Sequence, residues 1–443
     1  MIPLKPLPKV IKIDSEKCVN CHLCIGVCPV KYCNNASDTE KGILINDNLC
    51  IGCGNCIKVC THDARIIVDD TEKFIEDLNS GEKIAVLVSP ATDVQFPGQL
   101  KNLLGWLKQI NVQNIYDVSF GAEITTYQYL QVYQSGKANL PIIAQPCPAV
   151  VSFIEIYKPE LLKYLAPTGS PVMNMACWVH QNNPGLKLAF LSPCIAKKRE
   201  FEDPNTKGLV HYNVTIANLK KYIEKNEIDL TQYSGEFDGP IQAERGLLYS
   251  KPGGLYETLK RYNVPLKPHQ VRRTEGVEIY EEFFEELEQE LENEDSDVIL
   301  IDILNCLHGC NRGTGVKYDE FTTNQILKRQ DERLEEHKQQ HYPDDEHRNR
   351  LEALLKDMAN IDFSRNYTDR SASFKLLMDP TDEQIEVLHQ EMGKFEKEDL
   401  KNCGACGYHS CDNMAKAVLN GLYRPEQCHH FLEKFFFETH EEK

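Results

Sequence analysis

Four cysteines, Cys147, Cys194, Cys306 and Cys310, are scattered from residue 147 to residue 310. Thiols that far apart share a metal centre only when a folded domain gathers them, so a cluster held by them lies in a core and marks a site of chemistry. Their neighbours are turn-forming residues. Cys147 stands between Pro146 and Pro148, Cys194 follows Pro193, and Cys306 and Cys310 lie in a loop that continues through Gly313 and Gly315. Glycines there let the backbone face a large cofactor closely.

Twelve of the remaining fourteen cysteines, out of eighteen in all, form three further sets with iron–sulfur spacing. Cys18, Cys21, Cys24 and Cys28 stand in C-x2-C-x2-C-x3-C and are followed by Pro29; Cys50, Cys53, Cys56 and Cys60 repeat the spacing, with Thr61 in the place of the proline. This resembles the two-cluster bacterial ferredoxin pattern, whose fourth cysteine ligates the other cluster. The resemblance implies the sets Cys18, Cys21, Cys24, Cys60 and Cys50, Cys53, Cys56, Cys28. Two zinc knuckles are the alternative, but they gain nothing from a third cysteine at x2. Cys33 lies outside the repeat and reads as a bystander thiol, and His22 as a surface residue within the first loop. The last set, Cys403, Cys406, Cys411 and Cys428, has spacings of x2, x4 and x16 and opens a helix. It is similar to the small 4Fe-4S module of corrinoid iron–sulfur proteins and of an electron-transport complex subunit. A zinc site is the other reading, because four cysteines alone do not exclude it. His409, His429 and His430 flank these ligands and read as surface residues. Cys177, in Met175-Ala-Cys-Trp178, reads as a buried core thiol.

The elements that position the scattered set come in alternation. After a hinge over residues 69–83, the runs Lys83–Pro90, Asn114–Val118, Pro141–Ala144, Lys187–Leu191 and Val298–Leu304 read as strands, and Phe96–Gln109 as a helix. The last three strands each end just before one of the cysteines, where open α/β sheets place ligands. Glu278–Asp297 puts Phe283, Phe284, Leu287 and Leu291 at helical spacing among carboxylates, which predicts an amphipathic helix. Lys328–Asp357 is almost entirely charged or amide and reads as a helical hairpin or linker broken at Pro343. The chain of 443 residues is long enough for several domains and carries a net charge of −18, which disfavours nucleic acid and anionic membrane as partners. No apolar run is long enough to span a membrane, and the N-terminal residues have no secretory pattern. With no export signal read, the cysteines suit metal ligation in a reducing cytoplasm.

At this point a resemblance carries the reading further. Gln145-Pro-Cys-Pro148, Ser192-Pro-Cys-Ile-Ala-Lys-Lys-Arg-Glu200 and Cys306-x3-Cys310 look like the three signatures of the FeFe-hydrogenase catalytic domain. Phe120-Gly-Ala-Glu-Ile-Thr125 and Gly253-Gly-Leu-Tyr-Glu257 resemble two further stretches of that family, and the likeness covers about residues 1 to 320. It implies an H-cluster. Cys147, Cys194, Cys306 and Cys310 would hold a 4Fe-4S cubane, and Cys310 would bridge to a diiron centre bearing CO, cyanide and a dithiolate. Lys197 would contact a cyanide, Pro90 and Ala91 would pack near the other, Glu200 would be a supporting carboxylate rather than part of the chemistry, and Pro148 would line the first motif. Ser192 and Leu304 stand where the family has methionines around the diiron pocket.

One departure bears directly on rate. The family's efficient members carry a proton-relaying cysteine immediately before the first cubane ligand, where this chain has Pro146, which has no titratable proton and no N–H. The outer relay positions align with Tyr129, Val132 and Ala166. Glu123, Tyr127, Lys198 and His308 are candidate substitutes. The expectation is therefore a slow, cytoplasmic oxidoreductase of the sensory branch. It interconverts H2 with protons and electrons, contains three 4Fe-4S clusters besides the H-cluster, and passes its output to a redox or signalling partner in trans. The rival reading is a non-catalytic assembly scaffold, or an electron-transfer subunit, that lacks the diiron centre. The expected fold is an α+β ferredoxin-like domain over residues 1–75, an α/β catalytic domain with two lobes around a central cofactor over 80–325, a charged helical linker over 326–375 and a mostly helical Fe-S module over 376–443.

Overall fold

The computed structural model describes residues 5–433 apart from residues 240 and 295. The chain forms two compact units, one joining Met1–Val68 with Asp369–Lys443 and the other spanning Asp69–Thr368.

The larger unit is α/β. Its strands are β1 (Ile84–Val88), β2 (Asn114–Asp117), β3 (Ile142–Ile143), β4 (Lys187–Ser192), β5 (Val210–Thr215), β6 (Val271–Glu275) and β7 (Leu300–Leu304). They form two parallel sheets, ordered β2-β1-β4-β5 and β6-β7-β3. Every residue of β1 and β7 is buried: β1 is the unbroken apolar run that a strand covered on both faces requires, and β7 carries a single polar residue, Asp302. The expected helix over Phe96–Gln109 instead starts at Leu100, because Pro97-Gly98 interrupts it and leaves a separate short helix, Ala91–Gln95. The amphipathic helix ends at Glu292 rather than Asp297 and begins with a π turn, Ile279–Phe283. Of its apolar stripe Phe283, Phe284 and Leu287 are buried and Leu291 is half-buried, with Phe284 stacked 5.1 Å from Phe153.

The reading of residues 326–375 as a linker needs correction. Thr323–His341 and Asp345–Asp357 are helices of the larger unit, and their arginines reach into its core. Arg329 forks onto Asp93 (2.8 and 3.0 Å), and Arg333 meets Asp117 at 2.8 Å and the Pro90 carbonyl at 3.0 Å. The following segment crosses Thr168-Gly169, where the Phe363 carbonyl accepts from the Gly169 N–H at 2.8 Å.

The smaller unit combines both ends of the chain. Ile11–Ile13 pairs antiparallel with Arg65–Ile67, and each cysteine loop opens into a one-turn helix, Leu23–Gly26 or Asn55–Lys58. The C-terminal helices Asp382–Glu391 and Cys411–Leu419 share one apolar cluster with Ile25, Ala36 and Ile43 of the first segment. No helix among the described residues is long and apolar enough to cross a membrane.

Candidate metal centre

The scattered cysteines converge at the C-terminal ends of the parallel strands. Cys147 follows β3 and starts the helix Pro148–Tyr157, with Pro148 at its first position, where a missing N–H costs nothing. Cys194 follows β4, and Cys306 and Cys310 follow β7. The thiols are close enough to repel one another as thiolates. Burial first, then Cys306 and Cys147, pushes Cys194 up to about 12, with Lys197 opposing. Burial and the other three sulfurs push Cys310 well up, again against Lys197. Burial likewise raises Cys147. A crowded set of sulfurs with disfavoured thiolates at Cys147, Cys194 and Cys310 is suited to a cationic iron cluster, which would supply the missing positive charge.

Glycines bring the loops together, for a reason different from the one read in the sequence. A Cβ on Gly313 would lie 2.2 Å from the Pro193 carbonyl oxygen, and one on Gly315 2.6 Å from the Cys194 nitrogen. These residues admit the Pro193-Cys194 backbone, and the Gly315 N–H donates to the Pro193 carbonyl at 2.8 Å. Ser192 likewise turns inward on its own loop. Its Oγ accepts from the Cys194 N–H at 3.1 Å and donates to the Cys194 carbonyl at 2.9 Å. Leu304 is buried at the end of β7, and Ala91 is fully buried beside Pro90. Gln95 Nε2 ties that short helix to the Asn311 carbonyl at 3.0 Å.

Lys197 and Glu200 lie one helical turn apart and are both buried. The Lys197 ammonium donates to Glu200 Oε2 at 2.5 Å and to Ser170 Oγ at 3.0 Å. Arg365 completes the group by donating to Glu200 Oε1 at 2.8 Å. Sequence reasoning missed Arg365 and Ser170, since nothing near either in the chain points to Glu200. It also missed Asn305, whose Nδ2 lies 3.4 Å from Cys306 Sγ while its Oδ1 accepts from Tyr280 at 2.8 Å. An asparagine directly before one of the four converging cysteines was the one available signal.

The candidate proton carriers fare differently. Glu123 is buried and accepts from the backbone N–H groups of Glu244, Arg245 and Gly246 while pairing with Arg261, so it is a fixed structural anion. Lys198 is held by Asp70 at 2.7 Å and Glu202 at 3.1 Å, and the His308 N–H donates to Glu275 at 3.1 Å. Tyr127 rests near Tyr262 with ring centroids 6.4 Å apart. Tyr129 donates to Gln145 Oε1 at 2.5 Å, and Gln145 Nε2 donates to the carbonyls of Thr168 (2.7 Å) and Gly169 (2.9 Å). The position aligned with a relay glutamate therefore anchors the Gln145-Pro146-Cys147 turn. Ala166 is buried, and its carbonyl accepts from Tyr367 at 2.5 Å.

Asp302 on β7 carries a pH dependence. It is buried and accepts from the Tyr256 N–H at 3.1 Å, and burial is the chief cause that raises its pKa to about 6. The unfolded carboxyl titrates near 4, so the folded chain binds more protons between about pH 4 and 6, and stability falls as pH rises through that window. Asp302→Asn is expected to stabilise the chain by on the order of 2 kcal/mol at pH 8 and by almost nothing at pH 4. Denaturant midpoints at the two pH values measure this, and equal gains at both would contradict it.

In the smaller unit, burial first, then repulsion from Cys28, Cys56 and Cys50, pushes the Cys53 thiol well up, so Cys28 lies with the second loop's cysteines. Cys33 is not remote from them: it is buried, and its sulfur lies 3.8 Å from Cys28 Sγ. Arg65, also buried, donates to Cys24 Sγ at 3.0 Å. His22 is covered by Tyr423, with ring centroids 5.3 Å apart, rather than lying free on the surface. Cys403, Cys406, Cys411 and Cys428 line one small cavity with Lys394, His429 and His430.

Comparison with known families matches the iron only hydrogenase large subunit, C-terminal domain, over residues 82–314. A 4Fe-4S dicluster domain matches residues 10–61, and an Fe-S cluster family matches residues 401–430. Similar solved structures include a variant of the FeFe-hydrogenase HydA1 from Chlamydomonas reinhardtii, at 16% identity and a TM-score of 0.49 over 68% of this chain and 98% of that one. Another is HydA(deltaEFG), described for stepwise H-cluster assembly, at 15% identity and a TM-score of 0.48 over the same shares of each chain.

Proposed function

The chain belongs to the iron only hydrogenase large-subunit family, and from that premise we propose that it interconverts H2 with protons and electrons, slowly, as a hydrogen sensor. The observation that carries this reading is the convergence of Cys147, Cys194, Cys306 and Cys310 at the strand ends, with the Lys197 ammonium bearing on Cys194 and Cys310. In this reading the four thiolates would hold the cubane of an H-cluster, and Cys310 would also carry its diiron part. When bound, that group supplies the site at which the H–H bond is split and the electrons are taken up.

The protein's own residues do the rest. Ser192 and Asn305 fix the ligand loops, and the glycine contacts at Gly313 and Gly315 hold those loops against each other. Lys197 presents a positive charge in a buried site, where it is strongly felt by an anionic ligand. Pro90 and Ala91 form an apolar wall, held by Arg333 and Gln95. No acid stands at Pro146, which is why turnover is expected to be slow. Two ferredoxin-type clusters and a C-terminal cluster would then carry electrons to or from a cytoplasmic redox or signalling partner in trans.

Infrared spectroscopy of the matured chain tests this. Bands of CO and cyanide, together with H2-dependent dye reduction, are the expected result. Iron–sulfur clusters without those bands would overturn it in favour of a scaffold or an electron-transfer subunit.

A further inference from the structure

Two ligand loops of the smaller unit touch backbone to backbone. Gly407, directly after Cys406, has φ +88°, and a Cβ there would stand 2.7 Å from Ile25 Cβ and 3.0 Å from both the Gly26 nitrogen and the His22 oxygen. His409 Nε2 lies 3.0 Å from the Gly26 carbonyl oxygen. The loop carrying Cys403, Cys406 and Cys411 is therefore seated on the loop carrying Cys21, Cys24 and Cys28, with glycine on one side of the contact and Ile25 on the other. Loops packed this way give the two cysteine sets a shared boundary.

A buried cation lies within the C-terminal set. The helix Asp382–Glu391 is closed by Gly393 at φ +67°, whose N–H donates to the Gln390 carbonyl (2.9 Å) while the Lys394 N–H donates to that of His389 (2.8 Å). This pair of hydrogen bonds turns the chain back on the helix end. Lys394 is only 7% exposed as a result, and its Nζ lies 3.3 Å from Cys411 Sγ. Among the described residues it has no carboxylate at ion-pair distance. An ammonium out of water without a counter-charge is costly, and the charge available to offset it is that of the cysteine sulfurs and of what they bind.

We propose that Lys394 sets the C-terminal cluster at a higher potential than the ferredoxin cluster it docks on, making this module the electron-accepting end of the smaller unit. Reduction adds one negative charge to a cluster, so a fixed ammonium on a ligand sulfur favours the reduced form over the oxidised one. The transfer is one electron: the ferredoxin cluster is oxidised, the C-terminal cluster is reduced, and no other reactant is needed. The proposal rests on iron rather than zinc in the C-terminal set and is independent of whether a diiron centre is present.

The experiment is EPR-monitored potentiometry on the full chain reconstituted with iron and sulfide alone, for the natural sequence, Lys394→Met, Lys394→Gln, Lys394→Arg and Cys411→Ala. In the natural chain, the first signal to appear on reduction should be the one that Cys411→Ala removes. Lys394→Met and Lys394→Gln should shift that signal's reduction equilibrium at least tenfold against reduction, about 59 mV for one electron. Lys394→Arg should restore it. An unchanged potential in either uncharged variant at full iron content overturns the proposal. So does a Cys411-dependent signal that reduces last, or zinc in place of iron at this site.

Discussion

Arg365→Met is expected to destabilise the chain by about 3–5 kcal/mol, the cost of breaking a buried ion pair from one side. Four charges meet out of water here: Lys197 and Arg365 against Glu200 and Asp203, with Arg365 reaching Asp203 at 3.6 Å. Glu200 is 1% exposed and Arg365 4%, so solvent cannot replace a lost partner. Removing the guanidinium leaves Glu200 with Lys197 but Asp203 with no cation at ion-pair distance among the described residues. Arg365→Met combined with Asp203→Asn leaves one intact pair, Lys197 with Glu200. The double variant should recover most of the stability, because the loss comes chiefly from the unpaired anion rather than from the absent contact. Denaturant unfolding of the single and double variants measures both terms. A single-variant loss below about 1 kcal/mol, the range of exposed pairs, would show that the group is solvated and the strap at Phe363–Arg365 dispensable.

What the sequence revealed, and what it hid, follows from the range of the interactions. Strands ending before Cys147, Cys194 and Cys306 were legible because a mostly apolar run and the proline or cysteine after it lie within a few residues of each other. The amphipathic helix around Phe284 was legible for the same reason. The role of Thr323–His341 was not, because a row of charged residues has the same appearance whether the charges face water or buried partners. Arg329 meets Asp93 and Arg333 meets Asp117 more than two hundred positions earlier in the chain, and neither aspartate has a local pattern that announces it. The same applies to the joining of the two chain ends in one unit. Gly407 reads as an ordinary loop glycine until Ile25 and Gly26 are placed against it. Gly313 and Gly315 were correctly singled out as positions of close approach, but the object approached is the Pro193-Cys194 backbone, which periodicity and spacing do not reveal.

Pro146→Cys is expected to raise H2-dependent dye reduction by about 10²–10⁴-fold, the usual contribution of a positioned acid to a proton-transfer step. The turn that carries this position is rigidly held. Gln145 is fixed by Tyr129, Thr168 and Gly169, and Pro148 starts the helix that follows Cys147. A thiol introduced at 146 would therefore be held directly before Cys147 without a mobile loop to dilute its effect. Replacing proline loosens the unfolded chain, and a stability loss of about 0.4–1 kcal/mol is the expected cost. Pro146→Ala separates the two consequences, since it removes the ring while adding no proton donor. Its rate per diiron centre should match that of the natural chain. An equal rise in both variants would assign the slow step to the pyrrolidine ring instead. A Pro146→Cys rate that stays low at full diiron loading would move the bottleneck outward, to the stretch where Tyr129 donates to Gln145 and Glu123 is locked by Arg261, so that no acid beyond the turn is free to refill the thiol.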